Sequence, residues 1–351
     1  MRIVFYISGH GFGHASRDIE LIRAILTRRP DARVTVRTAA PRWLFDLNAD
    51  PGVEIQALDA DTGMVQIDSL RLDEEGTARE AARFYADFDR RVTEETERLR
   101  RLRATIVLGD IPPLAFAAAA RARVPSVAIG NFTWDWIYAV YPAFERLAPG
   151  VLHTIRQAYA AATLALRLPL HGGFDPMAGV TRDIPFIARQ SVRDRRDVRH
   201  MLDLPGDRPV VLASFGGYGA DLPVERLRQS ERFTLIPPMR EPPAGLRYAD
   251  LVAAADVVVS KPGYGIVSEC VANDTALLYT SRGRFIEYDL FVADMPRVLR
   301  CRYIPQSDLF AGRWTDAIET LLAQPRPAER PRIDGAAVAA DAIIKLNVES
   351  C

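Results

Sequence analysis

The first seventeen residues constrain the fold most strongly, because an apolar strand, a glycine-rich turn and a helix follow one another directly. Residues 3–7 form an apolar run without polar alternation, which is typical of a strand covered on both faces. Residues 15–26 carry apolar side chains at helical spacing. The turn between them contains three glycines and the histidines His10 and His14. In an open parallel sheet, such a turn lies at the carboxyl edge of the strands, where ligands bind.

The composition of this turn suits an anionic ligand and proton transfer. Glycines let backbone N–H groups approach an anion, the helix N-terminus adds partial positive charge, and imidazoles exchange protons near neutral pH. The spacing G-x-G-x-G differs from the dinucleotide pattern G-x-G-x-x-G, and the strand predicted at 33–38 ends without an acidic residue for a ribose. A nicotinamide or flavin site and a purely structural turn therefore remain weaker alternatives.

Size and charge exclude several classes of protein. A chain of 351 residues accommodates two ordinary domains, and 45 basic against 45 acidic residues favour neither nucleic acid nor an anionic membrane as a partner. No uncharged apolar run is long enough to span a bilayer. Three scattered cysteines indicate neither a disulfide framework nor a zinc site, and Met1 lies almost directly before a strand, which predicts no signal peptide. We therefore expect a cytoplasmic protein.

The alternation of strands and helices predicts an α/β fold with two doubly wound parallel sheets. We place the domains at residues 1–188 and 189–351, with the boundary just before a charged segment at 191–207. A helix at about 336–346 has an apolar stripe, and we expect it to pack back on the N-terminal domain. Strands are predicted at 3–7, 33–38, 53–58, 105–109, 125–130, 163–168, 184–188, 209–214, 233–236, 256–260 and 275–280.

Polar residues follow several of these strands at their carboxyl ends. Asp110 follows the strand at 105–109, and a second glycine turn with Gly216 and Gly217 follows the strand at 209–214. Lys261, one of only two lysines, follows the strand at 256–260. Because the carboxyl ends of parallel strands share one edge of a sheet, each half is expected to gather its polar residues there.

Two Rossmann-like halves with facing glycine turns resemble the GT-B glycosyltransferases, whose two domains face one another across a cleft. Gly13-His14 looks like the Gly-His of small-molecule glycosyltransferases, and the resemblance implies His14 as the general base and Asp110 as the aspartate that orients it. The run S-K-P-G-Y-G-I-V-S-E at 260–269 is similar to the nucleotide-sugar signature H-C-G-W-N-S-x-x-E. That similarity implies that Glu269 holds the ribose hydroxyls and that Lys261 binds the diphosphate.

A closer resemblance covers nearly the whole chain. The runs G-H-G-F-G-H-A-S-R, G-N-F-T-W-D-W-I-Y and K-P-G-Y-G-I-V-S-E look like the amino-terminal, glycosyltransferase-like region of plant L-arabinokinases and its free-standing bacterial relatives. The chain departs from the broader signature at Gly265 and Ile266, where that signature has Asn and Ser. It also lacks the Asp-Gln pair that grips the donor sugar, for which Glu287 is the nearest substitute.

The resemblance and the positions after the strands define two further sets of candidate residues. The donor-binding set is Gly216, Gly217, Lys261, Pro262, Gly263, Tyr264, Gly265, Ser268, Glu269 and Glu287. The acceptor and loop set is His10, Gly11, Gly13, Arg17, Asn131, Trp134 and Asp135. Structural explanations stay open for several of them: Asp110 as a helix cap, Lys261 and Glu269 as solvated side chains, and Trp134 as a core residue.

These features predict an inverting, metal-independent glycosyltransferase that moves a sugar from a nucleotide-sugar, in first place a UDP-sugar, to a small-molecule or glycan hydroxyl. No metal and no cofactor besides the nucleotide-sugar co-substrate is expected, because a cation, helix N-termini and backbone N–H groups can stabilise the leaving diphosphate. Two alternatives remain: a non-hydrolysing nucleotide-sugar 2-epimerase, and a nucleotide-sugar-binding regulatory protein without catalysis. The sequence leaves the sugar, the acceptor and the oligomeric state open.

Overall fold

The computed structural model describes residues 1–216, 219–239 and 241–349, which form two compact units. The first unit comprises Met1–Val65, Asp73–Ile187 and Arg332–Cys351, and the second comprises Gln66–Leu72 and Ala188–Pro331. Each contains one parallel sheet with helices, so the predicted α/β class with two doubly wound sheets is confirmed. Among the described residues, no helix combines the length and the apolar character needed to cross a bilayer.

The sheet of the first unit has seven parallel strands in the order β3-β2-β1-β4-β5-β6-β7. Its central strands are buried almost throughout, as their apolar runs predict. The strands are β1 (Arg2–Ile7), β2 (Arg33–Thr38), β3 (Glu54–Ala57), β4 (Ile106–Asp110), β5 (Ser126–Gly130), β6 (Leu164–Arg167) and β7 (Thr181–Asp183).

The helices of the first unit begin with α1, which starts directly after the glycine turn. The charged stretch at 73–103, whose composition predicts one long helical segment with a solvated face, forms two helices, α3 (Glu74–Ala86) and α4 (Phe88–Leu102), separated at Asp87. The helices are α1 (Gly13–Arg28), α2 (Arg42–Asp46), α3 (Glu74–Ala86), α4 (Phe88–Leu102), α5 (Pro113–Ala122), α6 (Trp134–Tyr138), α7 (Pro142–Leu147) and α8 (Val151–Ala160), with a 3₁₀ helix at Asp175–Val180.

The second unit has a five-stranded parallel sheet in the order β12-β11-β10-β8-β9. Its strands are β8 (Val210–Ser214), β9 (Thr234–Ile236), β10 (Val257–Ser260), β11 (Ala276–Tyr279) and β12 (Cys301–Tyr303). Its helices are α9 (Arg195–Met201), α10 (Val224–Arg228), α11 (Tyr248–Ala254), α12 (Tyr264–Ala272), α13 (Ile286–Val298), α14 (Gln306–Phe310) and α15 (Thr315–Leu322).

The last helix, α16 (Gly335–Glu349), belongs to the first unit and packs against α1. Ala339, Ala340 and Ile343 are fully buried along it, and the Asp341 carboxylate accepts a hydrogen bond from Arg28 Nε on α1 at 2.5 Å. The apolar stripe of the terminal helix therefore has its partner surface in the unit that opens the chain.

Each sheet reverses its strand order at one point, and this point fixes where a ligand can lie. In the first unit the reversal falls between β1 and β4, where Ile7 pairs with Asp110 in register. In the second it falls between β8 and β10, where Ser214 pairs with Ser260. The crevice outside the carboxyl ends of the strands at such a reversal is the usual ligand position in open α/β sheets. Both predicted groups of polar residues follow these strands.

Several further sequence expectations differ from the structure. Residues 184–188 are not a regular strand: Phe186 exchanges backbone hydrogen bonds with Arg332 and Gly335, and Ile187 forms an isolated antiparallel bridge with Asp334. These residues are apolar because they are buried against the segment at 332–335, where the chain returns to the first unit. The strand beside β6 is instead β7, which is polar and at the sheet edge, so no apolar run marked it. The segment 66–72, which the sequence assigned to the N-terminal domain, belongs to the second unit.

A buried ion pair ties β1, β2 and α4 together. Arg37 Nη2 lies 2.5 Å from Glu95 Oε1, and the Tyr6 hydroxyl donates to Glu95 Oε2 at 2.8 Å. All three side chains are almost completely buried. Removing one partner of such a pair leaves the other charge uncompensated in a poorly polarisable environment.

We expect Arg37→Met to lower the free energy of unfolding by about 3 kcal/mol, because among the described residues Glu95 then keeps only the Tyr6 hydroxyl as a hydrogen-bond donor. Urea unfolding at neutral pH measures the difference. The matched control is Arg101→Met on α4, the helix that carries Glu95; it removes an exposed pair with Glu97 at 3.6 Å and should cost less than about 0.5 kcal/mol. Equal effects of the two substitutions would contradict the structural role given to Arg37.

Candidate active site

The glycine turn after β1 and the end of β4 meet because the two strands are neighbours in register. Gly11 has a φ of +74°, a conformation that a side chain would strain. Helix α1 begins at Gly13, so His14 lies in its first turn, where it is 4% exposed. Asp110, the last residue of β4, is 1% exposed. Strand pairing thus brings together two residues that lie 96 positions apart in sequence.

His14 Nδ1 lies 2.8 Å from Asp110 Oδ1. An N–H at Nδ1 that donates to the carboxylate leaves Nε2 with its lone pair, which is the tautomer a general base requires. We assign this tautomer because Asp110 Oδ1 is the nearer partner and a carboxylate can only accept. Arg17 Nη2, which can only donate, then lies near Nδ1 without a hydrogen bond to it. The predicted pair of His14 and Asp110 is therefore geometrically complete.

Arg17 is part of the same cluster, one helical turn after His14. Its Nε and Nη2 each lie 2.5 Å from an oxygen of Asp110, and its Nη1 donates to Asn131 Oδ1 at 2.9 Å. Arg17 Nη2 is also 2.9 Å from His14 Nδ1. The sequence placed Arg17 and Asn131 among acceptor residues, whereas the structure shows them in contact with the candidate catalytic pair.

The charge of Asp110 is fixed by these neighbours. Burial alone would raise the pKa of the Asp110 carboxyl, but Arg17 and then His14 outweigh it and hold that pKa well below its usual range. Asp110 therefore stays ionised at all ordinary pH values. It shares its negative charge between an arginine and a histidine, which the sequence alone did not predict.

Asp18, which the sequence analysis missed, lies on α1 one turn after His14 and is fully buried. Neither carboxyl oxygen has a hydrogen-bond partner among the described residues. Burial, and then the charge of Asp110, raises the pKa of Asp18 well above its usual range. Asp18 thus contributes little negative charge beside the ionised Asp110. Its spacing of four residues from His14 on a helix was the available signal.

Asp61 is a second carboxyl that the sequence analysis missed. It lies in the loop after β3 and accepts hydrogen bonds from Ser8 Oγ at 3.0 Å and from Trp134 Nε1 at 2.8 Å. Burial raises its pKa to about 6, although both donors act in the opposite direction. Its position after a strand at the carboxyl edge of the sheet was the signal that could have identified it.

The remaining acceptor candidates pack into the interior of the first unit. Trp134 is fully buried, stacks on Tyr138 at a centroid distance of 5.3 Å and meets the His10 ring edge-on at 5.4 Å. Asp135 is 4% exposed and lies 3.2 Å from Arg156 Nε. Trp134 therefore lies against His10, whereas Asp135 pairs with Arg156, and direct contact of either with an acceptor stays a prediction.

In the second unit, the turns after β8 and β10 are adjacent. Gly216 has a φ of +68°, while Gly217 lies outside the described residues. Ser260 Oγ donates to the Ser214 carbonyl at 2.5 Å, which holds the two strand ends together. Pro262 and Gly263 then lead into α12, whose first residues include Tyr264 and Gly265.

Lys261 follows β10 at this position and is half-buried. Burial first, and then the positive charge of Arg282, lower the pKa of Lys261 to about 7 against the opposite effects of Glu287 and Asp68. The positive charges of Lys261 and Arg282 repel one another. An anionic ligand bound beside both would attract each of them and offset this repulsion. The geometry therefore suits a diphosphate at the start of α12.

Arg282, a further residue that the sequence analysis missed, follows β11 and is 6% exposed. Its guanidinium lies over the Phe285 ring at 4.1 Å and 3.6 Å from Glu287 Oε2. A Cβ added at Gly263 would lie 3.8 Å from Arg282 Nη1, so the guanidinium lies close to the start of α12. Glu287, predicted to bind the donor, thus also holds Arg282 in this unit.

Glu269 and Ser268 lie on buried positions of α12. Arg189 donates to Glu269 Oε1 from Nε at 2.6 Å, and the guanidinium lies 5.4 Å from the Tyr248 ring. Ser268 Oγ donates to the Gly265 carbonyl at 2.9 Å. A ribose at Glu269 must share the carboxylate with Arg189, so the predicted ribose contact stays a prediction.

Comparison with known proteins adds sequence and fold relationships. No protein-family model matches the chain. L-arabinokinase of Arabidopsis thaliana is 30% identical over 357 residues, an alignment that covers 96% of this chain and 33% of that protein. The chain therefore spans about a third of the length of this curated relative.

Several solved structures match the chain over nearly its whole length. They include SsfS6, a glycosyltransferase of Streptomyces sp. SF2575, with 14% identity, a TM-score of 0.56 and coverage of 98% of this chain and 99% of that one. UGT89C1 of Arabidopsis thaliana, in complex with UDP, has 16% identity, a TM-score of 0.56 and coverage of 100% and 99%. A putative UDP-N-acetylglucosamine 2-epimerase of Listeria monocytogenes has 11% identity, a TM-score of 0.56 and coverage of 100% and 97%.

Proposed function

From the GT-B glycosyltransferase fold, to which this chain belongs, we propose that it transfers a sugar from a nucleotide-sugar to an acceptor hydroxyl. The single observation that carries the proposal is the buried contact of His14 Nδ1 with Asp110 at 2.8 Å, at the strand-order reversal of the first sheet. A histidine oriented in this way can take the proton from a hydroxyl as it attacks. Such assistance contributes about 10²–10⁴-fold in rate.

The donor side of the proposal depends on the second unit. Lys261, Arg282 and the N–H groups at the start of α12 can take up the negative charge that develops on a leaving diphosphate. These cations support a reaction without a metal ion. Attack by a single deprotonated hydroxyl displaces the diphosphate from the opposite face, so the proposed stereochemical outcome is inversion.

We propose a UDP-sugar as the donor, with a dTDP-sugar as its main competitor, since one structural neighbour was solved with UDP and another with dTDP. Calorimetric titration of the full chain with UDP, dTDP, GDP and ADP tests the donor assignment. We expect saturable binding of UDP, the strongest of the four. Absence of binding by any of them at millimolar concentration would remove the basis for a nucleotide-sugar donor.

The pKa of Lys261 gives this binding a pH dependence. A diphosphate favours the charged ammonium, whereas the unliganded site has a Lys261 pKa of about 7, so binding above that pH takes up a proton. From about pH 7.5 to about pH 8.5, where the UDP phosphates are ionised and its uracil is still neutral, we expect its affinity to fall by up to about tenfold per pH unit.

Substitution of the lysine supplies the control for this pH dependence. Lys261→Met should bind UDP weakly and with little change in affinity over the same range. Lys345→Met removes the only other lysine, which is 75% exposed and pairs with Glu349. It should behave like the parent chain. A parent affinity that stays constant across this range would contradict a role for the Lys261 ammonium.

Two alternative functions are compatible with parts of the same structure. The fold is shared with a putative UDP-N-acetylglucosamine 2-epimerase, but epimerisation needs several carboxylates free to act around the sugar. The candidates in the described second unit, Glu269, Glu287 and Asp68, each already lie near an arginine. A regulatory protein that binds a nucleotide-sugar without catalysis needs only the second unit. The complete His14–Asp110 contact in the first unit favours transfer over both.

A further inference from the structure

Residues 66–72 form a small hairpin that comes from the first half of the sequence but belongs to the second unit. Gln66 and Leu72 form an antiparallel bridge, and the Ile67 N–H donates to the Arg71 carbonyl at 3.0 Å. The chain enters the second unit at Gln66 and leaves it after Leu72. Neither composition nor apolar spacing marked this segment, so its place in the fold is a finding of the structure.

Two contacts fix the hairpin at the carboxyl edge of the second sheet. Ser69, which is 4% exposed, donates from Oγ to the Phe215 carbonyl at 2.9 Å, in the turn after β8. Leu70 is 5% exposed and belongs to the apolar core of that unit together with Phe215. A Cβ at Gly283, in the turn after β11, would lie 3.2 Å from the Leu70 carbonyl oxygen. The hairpin therefore lies between the turns that follow β8 and β11.

Asp68 lies at the tip of this hairpin with a defined orientation. Its Oδ1 accepts from the backbone N–H groups of Leu70 and Arg71, each at 2.8 Å, and its Oδ2 accepts from Arg71 Nε at 2.7 Å. These bonds, the Leu70 N–H first, lower its pKa, so the side chain is a carboxylate. It is 41% exposed, which leaves lone pairs available to a ligand.

The hairpin that carries Asp68 lies beside the proposed diphosphate site, because its Leu70 carbonyl approaches Gly283, the residue after Arg282. A carboxylate repels a diphosphate, so Asp68 does not serve the phosphates. The sugar is the next group along the donor, and its hydroxyls are hydrogen-bond donors that a carboxylate accepts strongly. Neutral sugars gain from this neighbour, whereas a sugar that carries its own carboxylate is repelled.

We propose that the hairpin at 66–72 is a donor-recognition element of the second unit, in which Asp68 accepts hydrogen bonds from hydroxyls of a neutral, nucleotide-linked sugar. The inference rests on the proposed function, since it takes a nucleotide-sugar as the ligand. It adds a specificity-determining residue to a chain that lacks the Asp-Gln pair of the resembling signature.

The test compares UDP with UDP-glucose, UDP-galactose and UDP-xylose by calorimetric titration of the full chain. Asp68→Asn keeps an oxygen for the Leu70 and Arg71 N–H groups but removes the charge. It should weaken the best-bound UDP-sugar by about tenfold or more, the range for a lost charged hydrogen bond, and leave UDP affinity unchanged or slightly higher. Arg71→Ala removes the exposed partner of Asp68. It should leave the ratio of the UDP-sugar affinity to the UDP affinity unchanged.

The outcomes separate the two proposals. If the parent chain binds UDP and a UDP-sugar but Asp68→Asn weakens both equally, or neither, the role of Asp68 is wrong and the proposed donor stands. If the parent chain binds no nucleotide and no nucleotide-sugar, both proposals fail. A parent that prefers UDP-glucuronic acid to UDP-glucose would also overturn the inference, because Asp68 should repel the acidic sugar.

Discussion

His14→Ala should lower sugar transfer by about 10²–10⁴-fold and leave the affinity for UDP unchanged. This decrease in rate is the one expected when a general base is removed, because the substitution deletes the imidazole that contacts Asp110. Nucleotide affinity should persist, since the proposed diphosphate ligands Lys261 and Arg282 belong to the other unit. Initial rates of UDP release in the presence of acceptor, together with UDP titration of the variant, measure both effects.

The control for this variant is His153→Ala, which removes an exposed histidine on α8 of the same unit. It should transfer sugar at the parental rate. A His14→Ala chain that retains the parental rate would exclude His14 as the base, and a variant that loses UDP affinity as well would show that the effect spreads beyond the first unit.

Asp110→Asn should affect stability and activity together. Asp110 is the partner of the buried Arg17, with two contacts of 2.5 Å, so the substitution leaves a cation uncompensated beside His14. We expect a decrease of about 3–5 kcal/mol in the free energy of unfolding. Activity should also fall steeply, because an amide no longer fixes the histidine tautomer with Nε2 free to accept. Urea unfolding and initial rates at neutral pH measure the two losses.

A double substitution separates the two roles of Asp110. Arg17→Met combined with Asp110→Asn removes both charges, so most of the lost stability should return while activity stays low. Asp183→Asn provides the comparison, because it breaks a surface pair with Arg167 and should cost less than about 1 kcal/mol. Full recovery of activity in the double variant would contradict the catalytic role of Asp110.

Local patterns in the sequence were enough to predict most of the fold. The apolar runs of β1, β4 and β10 mark buried parallel strands, and the glycine turn before α1 marks the carboxyl edge of the sheet. Polar edge strands carry no such mark, which is why β7 was missed. The segment at 184–188 was misread as a strand because burial, whatever its cause, selects the same apolar residues.

Site residues at the ends of neighbouring strands could be predicted from the sequence. Site residues that reach the site through side-chain packing were missed. The resemblance and the strand ends were sufficient to pair His14 with Asp110. Arg17 was noticed only as a loop residue, because its contact with Asp110 depends on the side-chain direction from α1. Asp61, Arg282 and the hairpin at 66–72 reach their sites through contacts between segments distant in sequence, and local spacing carries no record of such contacts.

The central claim, transfer of a sugar from a nucleotide-sugar, is tested most directly by following a UDP-sugar by proton NMR in the presence of the full chain and a mixture of hydroxyl acceptors. We predict that the anomeric signal of the donor disappears, that UDP appears in equal amount, and that a new glycosidic anomeric signal of opposite configuration grows with it. A changed C2 signal with the diphosphate linkage intact would instead identify an epimerase, and an unchanged spectrum with bound nucleotide would identify a binding protein without catalysis. Either result would contradict the proposed function.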